Sequence, residues 1–316
     1  MKLRLDTSEL FSTVERRIST FLIKPLVLAR HSVGTILAYH DIGPESSARQ
    51  MPPDFITIEA FEKQMQVLHN QDVDVIPLQK LCTLLILGEK LPRRTAVITF
   101  DDGYKSTFSY ALPILQFYHF PATVFLAVDY IGYRQSFPWL KEFSRVGEFP
   151  SSPPLDWDDV KALHKAGIEI GSHSCSHKFL PRLNPDDLYK EITRSHISIK
   201  EKVGEPPRAF ALPFSFPVRH PDWPHFYPSL LTGLEVAGYS ACCTSYRGNI
   251  SVKSNPLLLE RIFINKYDTN GSFAAKLCGA YAWTRLPQYI YQKYWKNYTG
   301  LDTSLTFNHK VNHTLS

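Results

Sequence analysis

Two adjacent carboxylates in Thr99-Phe100-Asp101-Asp102-Gly103-Tyr104 and two imidazoles in His173-Ser174-Cys175-Ser176-His177 are the residues of this chain best suited to chemistry. Each segment follows a short apolar run that reads as a buried strand. Adjacent aspartates at a strand end point to opposite sides, because side chains alternate with period two. One can therefore bind a metal while the other stays free as a base, and Gly103 permits a tight turn with positive φ. On its own Asp-Asp-Gly is a common polar turn, and a lone His-x-x-x-His is weak evidence. Together they are much stronger. His173 and His177 stand at the i, i+4 spacing that lets two imidazoles reach one ion from a single helical turn, whereas Cys175 projects to another side and reads as filler. Two imidazoles and one carboxylate leave positions open for water and substrate, which suits zinc and also non-haem iron. With the second aspartate placed to take a proton, the set spells metal-assisted hydrolysis of an amide or ester.

Short apolar runs alternating with helical patterns must position these groups. Residues 35–39, 73–76, 96–100, 122–127, 168–170, 209–212, 240–244 and 257–264 read as strands. Thr57 caps a helix with Phe61, Met65 and Leu68 on one face, and 78–87 and 110–118 read as helices. Asp156 caps another with Val160 and Leu163 inward and Gly167 as its stop. Asn184-Pro185 opens a long amphipathic helix through Leu188, Ile192 and Ile199. Repeated βα units imply an α/β fold with a parallel sheet, open or closed. Asp101/Asp102, His173/His177 and Pro213-Phe214-Ser215 each lie just past a strand's C-terminal end, the face at which a closed barrel gathers its active site.

The 316 residues, 44% hydrophobic, suffice for one sizeable core. A net charge of +5 is too mild and too scattered for a nucleic-acid footprint, so no nucleic-acid partner is expected. Basic residues near the start (Arg16, Arg17, Lys24, Arg30) and in the tail (Lys293, Lys296) leave room for peripheral contact with an anionic membrane. Five cysteines, an odd number without a C-x-x-C pair, imply reduced thiols rather than a disulfide framework. Lys24-Pro25 interrupts the apolar run near the start, so neither a secretory signal nor a membrane span is expected, and a cytoplasmic location is. The organisation expected is a helical extension over 1–33, a catalytic domain over 34–287 and an aromatic, basic tail over 288–316.

The two motifs resemble those of the polysaccharide deacetylase family, the NodB-like domain of chitooligosaccharide and peptidoglycan deacetylases. Leu37-Ala38-Tyr39-His40-Asp41 and the stretch from Trp157 through Ile168-Glu169-Ile170-Gly171-Ser172-His173 resemble its exopolysaccharide-deacetylase branch. The resemblance implies a distorted (β/α) barrel with fewer than eight complete units. It also implies Asp101 as general base, and Asp102, His173 and His177 as ligands of a divalent ion, expected to be zinc. The family's Arg-x-Pro-Tyr-Gly stretch reads Ala211-Leu212-Pro213-Phe214-Ser215 here, so the arginine that steadies the base is missing and Arg261 is the proposed substitute. Phe214, through its backbone, and Tyr104 are candidates for holding the substrate or oxyanion. The late Leu-x-Leu-His motif that supplies the general acid is also missing. His40 is the first candidate to replace it, with His220 and His225 behind it.

The function expected is removal of an N-acyl group, acetyl first, from an amino sugar in a polysaccharide, oligosaccharide or lipid-linked glycan. The alternatives are a deformylase of a lipid-linked sugar on the same fold and a catalytically silent glycan-binding descendant. A non-haem iron oxygenase is disfavoured, because such enzymes favour antiparallel β folds. Sequence leaves the oligomeric state unknown.

Overall fold

Apolar runs buried on both faces become the strands of a parallel sheet. The computed structural model describes residues 7–23, 34–47, 51–140 and 151–290. Its strands are β1 (Gly34–Tyr39), β2 (Ile42–Gly43), β3 (Ile56–Thr57), β4 (Asp74–Val75), β5 (Thr95–Phe100), β6 (Thr123–Leu126), β7 (Glu169–Ser172), β8 (Ala209–Ala211), β9 (Ala241–Arg247) and β10 (Leu259–Phe263). Seven of these close a ring in the order β1-β10-β9-β8-β7-β6-β5. The closing pair is β1 with β5, in register from Gly34↔Thr95 to Tyr39↔Phe100. Both closing strands are buried along their whole length. The expected barrel with fewer than eight units is thus a seven-stranded one. β4 adds to the start of β5, and β2 with β3 forms a separate small sheet.

The helices are α1 (Thr7–Arg17), α2 (Ile58–Asn70), α3 (Leu78–Leu87), α4 (Leu112–Tyr118), α5 (Trp157–Lys165), α6 (Pro185–Val203), α7 (Phe226–Ala237), α8 (Asn270–Leu277) and α9 (Arg285–Ile290). Their starts follow the capping residues read in the sequence. Thr57 accepts the Ala60 N–H, and Asp156 and Asp159 form a capping box. Asn184 caps α6, which ends at Gly204 with φ 92°.

Four elements differ from expectation, among them β9, which runs to Arg247, three residues past the expected end. The helix expected from Tyr110 onward is a π-type turn over Thr107–Ala111 leading into α4; Pro113 has no N–H to donate, and the wider turn accommodates that loss. β7 runs to Ser172, two residues beyond the apolar run. The first part of the expected last strand is a 3₁₀ turn, Pro256–Leu258, capped by Asn255. Residues 24–33 of the expected extension and 291–316 of the expected tail lie outside the described residues. No helix among the described residues is long and apolar enough to cross a membrane.

The barrel interior is filled rather than open. Phe125 on β6 is fully buried, and a Cβ at Gly171 on the neighbouring β7 would fall 2.5 Å from its ring. Glycine there lets the phenyl ring occupy the barrel. That ring in turn backs the guanidinium of Arg261, 5.7 Å away, which is wholly buried on β10.

Candidate active site

β5 ends at Phe100, and the chain turns at once. Asp101 still donates its N–H to Tyr39, but Asp102 has φ 71° and Gly103 φ 89°. The two carboxylates diverge as expected, although a left-handed turn directs Asp102 rather than regular strand alternation. Both are buried.

Asp101 meets Arg261 in a two-pronged ion pair, Nη1 to Oδ1 at 2.7 Å and Nη2 to Oδ2 at 2.8 Å. The Arg261 Nε donates to the Thr244 carbonyl at 3.1 Å. The fork is thereby fixed in the geometry that matches a carboxylate. Burial alone would raise the pKa of Asp101, but the charge of Arg261, helped by His173, holds it well below the usual carboxylate range. Arg261 is thus paired with Asp101, the residue beside which the sequence expectation set it.

Asp102, His173 and His177 present ligand atoms that all lie within 4.8 Å of one another. Asp102 Oδ1 stands 3.4 Å from His173 Nε2 and 3.2 Å from His177 Nε2. His173 Nδ1 lies 2.9 Å from the Ala211 carbonyl; as the donor there, it leaves the Nε2 lone pair facing the centre. Burial pushes His173 down to about 4, so the ring is neutral at pH 7, the form a metal ligand needs. Asp102 Oδ1 and His177 Nδ1 are buried without a hydrogen-bond partner. Three lone-pair donors facing one point in a buried setting fit a divalent cation. The loop that carries the histidines is not helical, contrary to expectation. It is irregular, with Ser174 at φ 68° and His177 at φ 52°, so the i, i+4 spacing converges through a folded-back loop instead of a helical turn.

His40 follows β1, with Nε2 4.0 Å from Asp101 Oδ2 and Nδ1 3.8 Å from Asp54 Oδ2. Its ring stacks on Phe263. Burial lowers its pKa, but Asp54, Asp102 and Asp101 outweigh that and leave it raised. His220 and His225, the other candidates, are engaged elsewhere. His220 packs on Trp223 and accepts the Asp222 N–H, and His225 Nε2 lies 3.1 Å from the Leu183 carbonyl.

Phe214 adopts φ 60°, is partly exposed, and sets its ring 4.7 Å from that of His177. Tyr104 is placed differently from expectation. Its ring is 3% exposed and packs edge-on against Phe137, so it builds the wall of the site and offers a sugar no surface. Sequence reasoning missed Trp139, which stacks on His177 at 4.0 Å, and Asp54 beside His40. Both lie in proline-containing loops, Phe137-Pro138-Trp139 and Pro52-Pro53-Asp54, with no spacing that ties them to the motifs.

The sequence model of the polysaccharide deacetylase family matches residues 88–220, which contain both motifs. The resemblance read from the two motifs is thereby shown over that part of the chain. These matches make the chain an enzyme, a hydrolase of the polysaccharide deacetylase type. Among relatives, the Bacillus subtilis (strain 168) protein YxkH is 24% identical over 240 residues, 76% of this chain and 74% of that one. The poly-β-1,6-N-acetyl-D-glucosamine N-deacetylase of Staphylococcus epidermidis is 32% identical over 87 residues, 28% of this chain and 30% of that enzyme. The Streptococcus pyogenes deacetylase PplD, solved in complex with acetate, superposes with a TM-score of 0.62 at 19% identity, covering 78% of this chain and 98% of PplD. IcaB from Ammonifex degensii gives 0.59 at 19% identity, covering 79% and 98%. At these identities the structural likeness is one of fold.

Proposed function

We propose that this protein removes the N-acetyl group from N-acetylated amino sugars in a glycan, with a divalent metal held by Asp102, His173 and His177. The observation that carries this reading is the Arg261 clamp on Asp101, one residue from Asp102 at the same strand end. A buried, permanently ionised carboxylate beside three converging metal donors is the equipment of amide hydrolysis. Two imidazoles and one carboxylate with open positions suit zinc. When bound, the ion supplies Lewis-acid polarisation of the acyl oxygen and a more acidic water.

The chain's own residues would do the rest. Asp101 takes the proton of the attacking water. Its low pKa makes it a weak base, and what Arg261 gives in return is a fixed orientation and full ionisation at neutral pH. The rings of Trp139 and Phe214, set against His177, shield one side of the centre from solvent. The N–H at Phe214 is our candidate for holding the oxyanion. His40 donates the proton that lets the amine leave, a role its raised pKa favours because the acid must be protonated to act. The unit carrying this chemistry is taken as 34–287, flanked by 1–33 and 288–316.

Acetate release from N-acetylglucosamine oligomers, β-1,6- and β-1,4-linked, tests the reading. Release should require the metal and stop on chelation. Formate release from a lipid-linked formamido sugar, with no acetate from any oligomer, would replace it with a deformylase.

The role of His40 has its own signature. The Asp54 carboxylate favours the imidazolium, so Asp54→Asn should lower the His40 pKa. The acid form is then lost at lower pH, and the alkaline limb of the kcat profile should move down by a fraction of a unit, a small effect because Asp54 is 45% exposed. His40→Ala should remove the limb and lower kcat. A limb unchanged in both variants would assign the acid elsewhere.

A further inference from the structure

The loop 173–177 holds two non-glycine residues at positive φ, a conformation disfavoured for any residue with a Cβ. An accounting of its backbone shows what maintains it. The His173 N–H goes to the Leu126 carbonyl, and Ser174 donates to Ser172 Oγ. Cys175 and Ser176 both donate to Glu191 Oε2, each at 2.9 Å, and His177 donates to Ser174 Oγ at 3.1 Å. The Ser176 hydroxyl takes the other oxygen, Glu191 Oε1.

Glu191 lies on α6 and is 7% exposed. A carboxylate so buried needs compensation. Its cation, Lys178, comes only to 3.9 Å and is itself 60% exposed. The three hydrogen bonds from the loop are therefore its main partners. Four residues further along the same face of α6, the Ser195 hydroxyl meets that of Ser172 at 2.7 Å. Helix α6 thus grips the loop at two points, one turn apart, on either side of His173 and Ser174.

We infer that Glu191 is a positioning residue for the metal centre. Through the Cys175 and Ser176 amides it holds the loop in the one shape that aims His173 and His177 at Asp102, and so sets the affinity for the ion. The inference rests on the metal-site reading above. It assigns Glu191 no contact with metal or substrate, because both its oxygens are occupied by the loop. Outer partners of this kind commonly alter metal affinity by about 10–100-fold.

The test is zinc titration of the metal-free protein against a chromophoric chelator, with thermal unfolding of the metal-free form measured alongside. Glu191→Ala should weaken zinc binding by about 10–100-fold. Glu191→Gln should stay within about threefold of the parent, because an amide oxygen can accept both N–H groups while Ser176 turns to accept from the amide nitrogen. A purely structural role would lower the melting temperature of Glu191→Ala and leave the affinity of the folded protein unchanged. Equal affinities in the parent and a folded Glu191→Ala protein overturn the inference. Should Glu191→Ala not fold, Glu191→Asp replaces it. One methylene shorter, it must bind zinc more weakly than Glu191→Gln, and equal binding overturns the inference. A parent protein that takes up no zinc overturns the metal-site reading itself, a result distinguishable from the other two.

Discussion

Zinc content should fall from one ion per chain to none when His173 and His177 are both replaced by alanine. Each imidazole sets one nitrogen beside Asp102 Oδ1, at 3.4 Å and 3.2 Å, and no other group of three His, Cys, Asp or Glu side chains among the described residues converges in this way. A single carboxylate left behind cannot hold a divalent ion against solvent, because affinity comes from several donors fixed together. The double variant should still fold. Both rings lie at the mouth of the barrel, and the apolar residues filling the interior, Phe125 among them, are untouched. Elemental analysis after dialysis reads the outcome directly. Stoichiometric zinc in a folded double variant would place the metal elsewhere and remove the basis of the proposed mechanism.

The second large effect is expected at Asp101. Asp101→Asn keeps the shape of the side chain but cannot accept a proton at neutral pH, so kcat should fall by roughly 10²–10⁴-fold with metal content unchanged. The same substitution leaves Arg261 buried and unpaired, at a cost of about 3–5 kcal/mol. Loss of activity could then be mistaken for loss of structure. The double variant Asp101→Asn/Arg261→Met separates the two. Arg261→Met removes the stranded guanidinium, the uncompensated buried charge that makes the single variant costly, so much of the stability should return in the double variant while activity does not. Urea midpoints and single-turnover rates on the four combinations provide the measurement. Turnover near the parent's in a stable double variant would show that Asp101 is not the base.

These expectations draw unequally on sequence and structure. The βα alternation, the helix caps at Thr57, Asp156 and Asn184, and the two motifs Asp101-Asp102 and His173-x-x-x-His177, each taken by itself, were legible because they are local. Period-two and period-3.6 patterns, cap chemistry and short spacings need no knowledge of distant contacts. The places where reading by pattern went astray are also physical. The i, i+4 histidines suggested a helical turn, but Glu191 and Ser195, reached only through the fold, hold the loop in another shape. Tyr104 lies inside a family motif, yet its ring packs on Phe137 and is lost to solvent, which only the course of the 130–140 segment decides.

The sequence by itself determined the kind of chemistry and the strand ends that bear it, since the residue types and their distance from each apolar run are written in the chain. Tertiary structure decided the partners. Arg261 is 160 residues from Asp101 along the chain, His40 is 14 from Asp54 across an irregular loop, and Trp139 is 38 from the His177 ring it covers. No local period encodes such pairs. They form because a closed parallel barrel brings every strand's C-terminal end to one rim, and because closure buries Arg261, where a carboxylate must meet it.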